Sequence, residues 1–367
     1  ESGAQIACRW GWGGDFCIRQ AQAPVPVMKK SMAAPSTVAY VMQEKFQNGV
    51  PLYRQEAYWK GQGVELRRNT MSNWVIRSAR WFKPLYELLR KELLRQDIVN
   101  VDETRVHVLK EDGRESKQMS QMWVFCSAEK KIALYQYSPS RSGRVAREML
   151  QGFSGYTQTD GYSGYHCLDS VTHVGCWAHA RRKWVDCFVD GKPVQASRSE
   201  AAFGLIEEMF ALEQAWKDES PQARFDLRQQ KLRPLLEQYW ALLDSFEAAE
   251  GTALSKAKNY SLNQKDALNA VLLDGRLELT NNLAERTVKP FVTARKNFLF
   301  CDTAKGADAS ALCFSVMETA KRNGLDPFGY LVFLLQELPK LGENPAEEQL
   351  TPLLPWAETL PDYCKLK

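Results

Sequence analysis

The sequence has no apolar run that approaches the roughly 20 residues needed to cross a bilayer, so it predicts no membrane partner. It also contains no Cys-x-x-Cys pair, and its nine cysteines are an odd number. Both features argue against a disulfide framework and are typical of a protein in a reducing cytoplasm. The chain begins at Glu1 rather than Met and carries no signal-peptide pattern, so we expect the natural N-terminus to precede it.

A strong net charge is missing as well. The formal charge of +4 does not by itself indicate a nucleic-acid partner, although lysine and arginine cluster locally. The length of 367 residues allows two or three domains. Apolar residues make up 44% and charged residues 25%, which is ordinary for a globular protein.

Histidine is scarce, with four residues in the whole chain. This bears on Cys8 and Cys17, which lie in a segment that is rich in glycine and then punctuated by proline. A structural zinc site needs four ligands, usually in close pairs, and the first histidine, His107, is far away. Zn²⁺ binding by the two cysteines therefore competes with free thiols, and the spacing favours free thiols.

The region before residue 97 is predicted to be helical, with helices over 36–46, 52–60 and 68–80, and Ser36 as the first cap. This region matches the helix-turn-helix motif, because it has two short helices, a glycine turn and a polar start to the following helix. In that motif the start of the second helix contacts DNA. The candidate DNA contacts at that start are Arg67, Arg68, Asn69, Thr70 and Asn73. An ordinary three-helix bundle with a solvated basic face explains the same spacing equally well.

The next segment predicts strands. A β-branched run over 98–101 ends on Asp102, and a second short strand over 156–160 ends on Asp160. A hairpin (122–126 and 132–137) and a helix (144–150) lie between them, and a fifth strand covers 171–176. The order βββαβ is the ribonuclease-H-like arrangement, in which the first and fourth strands are neighbours. The sequence therefore predicts an α/β core that brings the two aspartates together.

A third carboxylate, Glu285, lies on a helix that Thr280 or Asn281 would cap and that Pro290 should kink or end. The stretch 197–275 before it reads as a helical insertion without chemistry, its first helix broken by Pro221. The predicted divisions are 1–30 (degenerate finger and linker), 31–96 (helical DNA-binding region), 97–190 (first part of the core), 191–276 (insertion), 277–325 (second part of the core) and 326–367 (C-terminal element, one helix and an extended segment).

Three carboxylates on separate elements suit two Mg²⁺ or Mn²⁺ ions, because hard cations prefer oxygen ligands. Such a pair supports in-line displacement at phosphorus. Asp102 would bridge both ions, while Asp160 and Glu285 would each complete one. The alternatives are that the aspartates cap turns and that Glu285 pairs with Lys289 on a solvated helix.

Other acidic and basic residues surround these positions in the sequence. Glu103 and Asp169 compete for the catalytic role, but Glu103 alternates to the opposite face of its strand. His179 could contact phosphate or shuttle a proton, and a hydrogen-bonded structural histidine is the competing interpretation. Further candidate DNA contacts are His179, Arg181, Arg182, Lys183, Arg286, Lys289, Arg295 and Lys296.

The sequence resembles the transposases of the insertion sequence 66 family over nearly its whole length. The strings that carry the resemblance are PLYRQ at 51–55, TMSNW at 70–74, VDET at 101–104, TDGY at 159–162, CWAHARRK at 176–183, NNLAER at 281–286 and DPFGY at 326–330. The resemblance implies a bacterial DDE transposase whose acidic triad falls on Asp102, Asp160 and Glu285. The family's N-terminal finger usually carries paired cysteines, and here Cys8 lacks the second cysteine of such a pair.

The resemblance also implies DNA partners, namely terminal inverted repeats and target DNA, with a homodimer in the synaptic complex and accessory transposition proteins as further expectations. Its setting would be the nucleoid in a bacterial cytoplasm. The alternative from another class is a catalytically inactive DNA-binding remnant of a transposase. A third hypothesis is a nuclease of the same fold that cuts DNA without joining ends.

Overall fold

A computed structural model describes residues 25–366 and, before them, the backbone of strands β1 (Gln5–Arg9) and β2 (Phe16–Gln20). These strands pair antiparallel, with Cys8 opposite Cys17 in the register. Their side chains lie outside the described part of the chain, so zinc binding there stays a prediction. Within the described residues, no helix is both long and apolar enough to cross a membrane.

The helices after the linker are α1 (Pro35–Phe46), α2 (Leu52–Gly61), α3 (Arg68–Ala79) and α4 (Lys83–Leu94). Their positions agree with the sequence prediction, but the cap of α1 does not. The N-cap residue is Ala34, and Pro35 occupies the first helical turn, so Ser36 lies inside the helix. Proline suits that position because its fixed φ is helical and its missing N–H would have no partner there.

The sheet combines β3 (Ile98–Lys110), β4 (Met119–Cys126), β5 (Ala133–Ser138), β6 (Tyr156–Gln158), β7 (Thr172–Val174) and β8 (Cys301–Thr303). Its order is β5-β4-β3-β6-β7, and β8 pairs with the far end of β3. The strand β3 is antiparallel to β4 and parallel to β6. The described residues therefore have a mixed α/β fold.

The strand that carries Asp102 is longer than predicted. Asp102 was expected at the end of a strand, but β3 continues through it to Lys110, because β4 pairs with β3 as far as His107. The parallel pairing with β6 ends at Asn100, two residues before Asp102. Asp102 therefore stands in mid-strand, just beyond the point where one of its two neighbouring strands stops. Likewise β6 ends at Gln158, so Asp160 follows two residues after the strand.

Two long helices cover one side of the sheet. These are α12 (Asn282–Phe298) and α13 (Ala304–Arg322). In α13, Ser315 Oγ accepts a hydrogen bond from Tyr135 N at 2.8 Å, and Thr319 Oγ1 accepts one from Ala133 N at 3.1 Å. Both strand residues lie on β5, an edge of the described sheet. The helix thus satisfies backbone groups that an open edge would expose.

The sequence predicted that Pro290 would kink or end helix α12, and the helix does not end there. It continues eight residues further to Phe298. A proline removes one backbone hydrogen bond, but Val288, Phe291 and Ala294 on both sides of it are buried. Phe291 packs edge-on against Phe314 of α13, with ring centroids 5.3 Å apart. Tertiary packing therefore holds the helix together across the proline.

The remaining helices are α5 (Arg144–Met149), α6 (Trp177–Val185), α7 (Arg198–Ala215), α8 (Pro221–Leu227), α9 (Arg233–Asp244), α10 (Ala253–Asn263), α11 (Lys265–Asn269), α14 (Pro327–Leu341) and α15 (Glu347–Leu350). Pro221 was expected to break the first helix of the insertion. Instead α7 ends six residues earlier, and Pro221 begins α8 with Ser220 as its cap. The tail after α14 was expected to be extended, but it contains α15.

Buried apolar side chains form two clusters. One joins α1, α3 and α4 to the sheet and to α12, α13 and α14. The other joins β7 and α6 to the helices of the insertion. The N-terminal helices and the sheet therefore share one core, while α6 packs with the insertion.

A buried arginine ties the insertion to the segment that leads into α12. Arg228 is fully buried on a π-helical turn between α8 and α9. Its guanidinium donates to both carboxylate oxygens of Glu213 and to the carbonyls of Val271, Asp274 and Leu277. Burial acts to raise the pKa of Glu213, but hydrogen bonds from Arg228 and Arg224 outweigh it and lower that pKa. Glu213 is therefore charged, and it depends on its arginine partners.

We expect Arg228→Met to destabilise the insertion by about 3–5 kcal/mol, because it leaves the charge of Glu213 buried with one partner fewer. The measurement is urea unfolding followed by circular dichroism. Arg233→Met is the matched control, since Arg233 is exposed and contacts Gln229 only among the side chains described. Equal midpoints for the two variants would contradict this role of Arg228.

Candidate active site

Three carboxylates from separate elements lie near enough to interact by charge, close to the point where β3 and β6 part. Asp102 lies on β3, Asp160 follows β6, and Glu285 lies in the first turn of α12. All three side chains are partly buried. Among the described residues, none of them forms an ion pair with a lysine or arginine, and Glu285 Oε1 lies 3.9 Å from His179 Nδ1. The cluster is thus acidic, and no lysine or arginine of the described residues is paired directly with it.

The pKa of Asp102 is raised to about 7. Burial is the main cause, a hydrogen bond from the Glu103 N–H opposes it, and the charges of Glu103, Asp160 and Glu285 add to it. A carboxyl group that meets like charges in a partly buried place holds its proton more tightly. Without a cation, the site therefore resists full ionisation at neutral pH.

Buried amide side chains fix the start of α12 against the sheet. Asn281 Nδ2 donates to the carbonyl of Val101 at 2.8 Å, and Asn281 Oδ1 accepts from Asn100 Nδ2 at 3.0 Å. Asn100 Nδ2 also lies 3.2 Å from Gln158 Oε1, and Gln158 Nε2 donates to the carbonyl of Glu278. Asn281 occupies the predicted N-cap position, but its side chain binds the sheet rather than its own helix.

This amide network explains how Glu285 reaches the aspartates. Val101 and Asn100 immediately precede Asp102 on β3, and Gln158 lies two residues before Asp160. Asn281 lies one helical turn before Glu285, and a turn rises about 5.4 Å. The same side chains therefore set the distance between all three acidic positions. The sequence singled out Asn281 only as a helix cap, and it did not single out Asn100 or Gln158, which only their position as polar residues within a strand could have indicated.

A second network holds the loop of Asp160. Asp160 Oδ1 accepts the N–H of Tyr162 at 2.9 Å, and the ring of Tyr162 stacks under Arg141 at 3.9 Å. Arg141 and the Tyr165 hydroxyl both bind the carboxylate of Glu103, whose side chain is only 2% exposed. Glu103 thus faces away from Asp102 and holds the loop. Asp169, the other residue that competed for the catalytic role, is exposed. Arg141 is a cation near Asp160 that the sequence did not indicate.

The helix α6 brings His179 and Cys176 to the same place. Cys176 precedes the helix, and its Sγ accepts the N–H of Asn281 at 3.3 Å. Burial lowers the pKa of His179, although the charges of Asp160 and Glu285 act to raise it. One donor atom each from Cys176, His179 and Glu285 lie within 4.8 Å of one another. His179 is therefore partly buried beside Glu285 and interacts by charge with Asp160.

The insertion also reaches the site, although the sequence indicated no chemistry in it. Tyr260 of α10 packs so closely on Gly161 that a Cβ there would lie 2.7 Å from its ring. Burial raises the pKa of Tyr260, and the charges of Cys176 and Asp160 raise it further. A glycine directly after Asp160 is thus required by the approach of the insertion.

The predicted DNA contacts differ in their surroundings. Exposed positions comprise Arg67, Arg68, Asn69, Thr70, Asn73, Arg182, Lys183, Arg286, Lys289 and Lys296. Two others are engaged within the protein. Arg181 binds Glu207 of α7 and stacks on Phe203, while Arg295 donates to Thr104 Oγ1 at 3.3 Å.

Comparison with known families finds one family over most of the chain. Residues 30–309 match the family described as "Transposase IS66 family", and residues 315–356 match the "IS66 C-terminal element". A protein of Sinorhizobium fredii (strain NBRC 101917 / NGR234), named uncharacterized protein y4jD, is 33% identical over 96% of this chain and 71% of its own length. A second from the same strain, uncharacterized protein y4qI, is 28% identical over 95% of this chain and 67% of its own length.

We expect Asp102→Asn to stabilise the metal-free protein at pH 8 because it removes a charge that burial, and to a lesser degree the neighbouring carboxylates, disfavour. The folded carboxyl ionises at about pH 7 and the unfolded one at about pH 4, so the wild type loses stability as pH rises through that window. The advantage of the variant should therefore be largest above pH 7 and vanish near pH 4. The measurement is the thermal midpoint in EDTA.

Added Mg²⁺ should raise the thermal midpoint of the wild type above that of Asp102→Asn, since a divalent ion bound to the carboxylates stabilises their charged forms. Asp112→Asn is the control, because Asp112 is exposed in the turn after β3. A variant that gains no stability at pH 8, or that gains as much at pH 4, would show that the charged form of Asp102 is not disfavoured in the folded protein.

Proposed function

The chain belongs to the IS66 family of transposases, and we propose that it cleaves and joins DNA strands at insertion-sequence ends by metal-dependent phosphoryl transfer. The observation that carries this proposal is that Asp102 interacts by charge with Asp160 and Glu285, while none of the three forms an ion pair with a lysine or arginine in the described residues. Such a cluster is costly to keep unless a cation binds it.

The topology supports the same proposal. The sheet order is β5-β4-β3-β6-β7, with β3 antiparallel to β4 and parallel to β6. This order is consistent with the proposed ribonuclease-H-like core. In that interpretation residues 97–190 and 277–325 form the core, 191–276 are its insertion, and 326–367 are a C-terminal element. Residues 31–96 would be a helix-turn-helix-like DNA-binding region that packs on the core rather than standing apart from it.

The donor set fits Mg²⁺ or Mn²⁺, because carboxylate oxygens are the ligands that these hard cations prefer. Asp102, Asp160 and Glu285 would hold two ions, which when bound polarise the attacking hydroxyl or water and stabilise the leaving oxygen. The amide network around Asn281 keeps the three carboxylates in place before the ions arrive. Such preorganisation spares the site a rearrangement during the reaction.

Exposed cations surround the acidic centre and would hold the DNA backbone. Arg286 and Lys289 lie on α12 beside Glu285, and Arg182 and Lys183 lie on α6 beside His179. Contacts of this kind bind phosphates without reading sequence. Sequence reading of the terminal repeats would then fall to α3, with its exposed Arg68, Asn69 and Asn73. A dimer that synapses two ends, together with accessory proteins at the nucleoid, completes the proposal.

The first test measures cleavage and joining of DNA that carries the element's terminal inverted repeats, with Mg²⁺ or Mn²⁺. We expect Asp102→Asn, Asp160→Asn and Glu285→Gln each to abolish both reactions, because each removes a charged ligand, while binding to the same DNA persists. Asp169→Asn is the control, since Asp169 is exposed and should leave the reactions intact. Wild-type activity in Asp102→Asn would refute the assignment.

The same experiment separates the alternatives. A DNA-binding remnant would bind the repeats with an affinity that falls steeply with salt, and wild-type protein would show no metal-dependent cleavage. A nuclease of this fold would cut the DNA without joining its ends.

The second test concerns Asn281, a positioning residue. Asn281→Asp keeps a favourable residue at the helix start but loses the N–H that Val101 accepts and places a charge beside a buried carbonyl. We expect lower stability by about 1–3 kcal/mol, slower cleavage, and a shift of the Mg²⁺ midpoint to higher concentration, with DNA affinity unchanged. Asn282→Asp is the matched control, because Asn282 is exposed. A normal Mg²⁺ midpoint in Asn281→Asp would restrict Asn281 to a structural role.

A further inference from the structure

We propose that Cys176, His179 and Glu285 form a second metal site, selective for a thiophilic divalent cation such as Zn²⁺, that shares Glu285 with the catalytic cluster. Cysteine sulfur, imidazole nitrogen and a carboxylate oxygen are the usual ligands of Zn²⁺. Mg²⁺ prefers oxygen ligands and would not use the thiol or the imidazole. The set therefore differs in chemistry from the three carboxylates of the proposed active site.

The geometry is close to what such an ion requires. The three donor atoms lie within 4.8 Å of one another, and His179 Nδ1 lies 3.9 Å from Glu285 Oε1. Tetrahedral Zn²⁺ with bonds of about 2.0–2.3 Å places its ligands about 3.3–3.6 Å apart. The distances between the donor atoms would therefore have to shorten by roughly an ångström. Side-chain rotation of His179 and Glu285 can supply this change. A water molecule would complete the tetrahedron.

A second observation points to the same ligand. His179 Nδ1 is buried and has no hydrogen-bond partner among the described residues. Buried polar atoms are almost always partnered, so an orphaned nitrogen that faces a thiol and a carboxylate needs an explanation. A metal bond would satisfy it.

The surroundings favour the bound form. The N–H of Asn281 reaches Cys176 Sγ at 3.3 Å, and the thiol lies at the start of α6, where the helix dipole favours negative charge. The thiol is only 1% exposed, but the side chains of His179 and Glu285 are 25% and 33% exposed. A cation can thus enter from the side of the carboxylates.

The site has a consequence for catalysis that rests on the proposed function. A Zn²⁺ ion on Cys176 and His179 would hold Glu285 away from the two aspartates. Bound Zn²⁺ should then inhibit strand cleavage even when Mg²⁺ is in excess. Metal binding itself depends only on the three donors, so it can be tested without any DNA reaction.

The experiment uses Co²⁺ as a spectroscopic probe for Zn²⁺ on the full chain in a Cys8→Ser, Cys17→Ser background, which removes the cysteines of the N-terminal hairpin. We expect a near-ultraviolet thiolate-to-cobalt band that saturates at one Co²⁺ per chain, is displaced by Zn²⁺ and is unaffected by excess Mg²⁺. Cys176→Ser should lose the band. Cys187→Ser is the matched control and should keep it, because Cys187 lies after α6 and its Sγ contacts the Lys183 carbonyl.

His179→Asn provides an independent variant if Cys176→Ser does not fold, and it should weaken Co²⁺ binding while the thiol remains. Absence of the band in the background protein, or its survival in Cys176→Ser, would overturn the proposal. A second measurement compares cleavage rates with and without Zn²⁺ in the background protein and in Cys176→Ser. The ratio of the rate without Zn²⁺ to the rate with Zn²⁺ should fall towards one in the variant. A Co²⁺ band in a protein that cleaves no DNA would uphold the metal site and refute only the transposase chemistry.

Discussion

The hydrogen bonds of Asn281 to β3 are the constraint on which the acidic site depends. They join the start of α12 to the strand of Asp102, and Asn100 extends the connection to Gln158 on β6. Neutral amides suit this task because each offers both donors and acceptors and brings no charge into a place that already holds three carboxylates. Carboxylates that repel one another would drift apart without such a connection.

The rest of the molecule supports this junction from both sides. On one side α13 covers the edge strand and packs through Phe314 against Phe291 of α12. On the other side Arg228 holds the carbonyls at 271, 274 and 277, which lie just before Asn281 in the chain. The insertion therefore does more than fill space, since it fixes the entry to α12 and brings Tyr260 against the loop of Asp160.

Hydrophobic periodicity and turn residues predicted most helices and strands to within a few residues. They failed where tertiary contacts outweigh local preference. Pro290 was expected to kink or end a helix, but α12 continues past it among buried neighbours. Asp102 was expected to end a strand, but pairing with β4 extends β3 beyond it. Local sequence does not reveal such contacts, because their partners are distant in the chain.

The sequence alone determined the family, through strings such as VDET, TDGY and NNLAER, and it singled out the three carboxylates, because charged residues at strand ends and helix starts stand out against an apolar pattern. Only the tertiary structure decided which side chains surround them. Asn100, Gln158, Arg141 and Tyr260 gave no signal in the chain, because a polar residue in a strand or a tyrosine in a helix is ordinary until its partner is known. Their roles arise from long-range packing that brings residues up to 181 positions apart into hydrogen-bond contact.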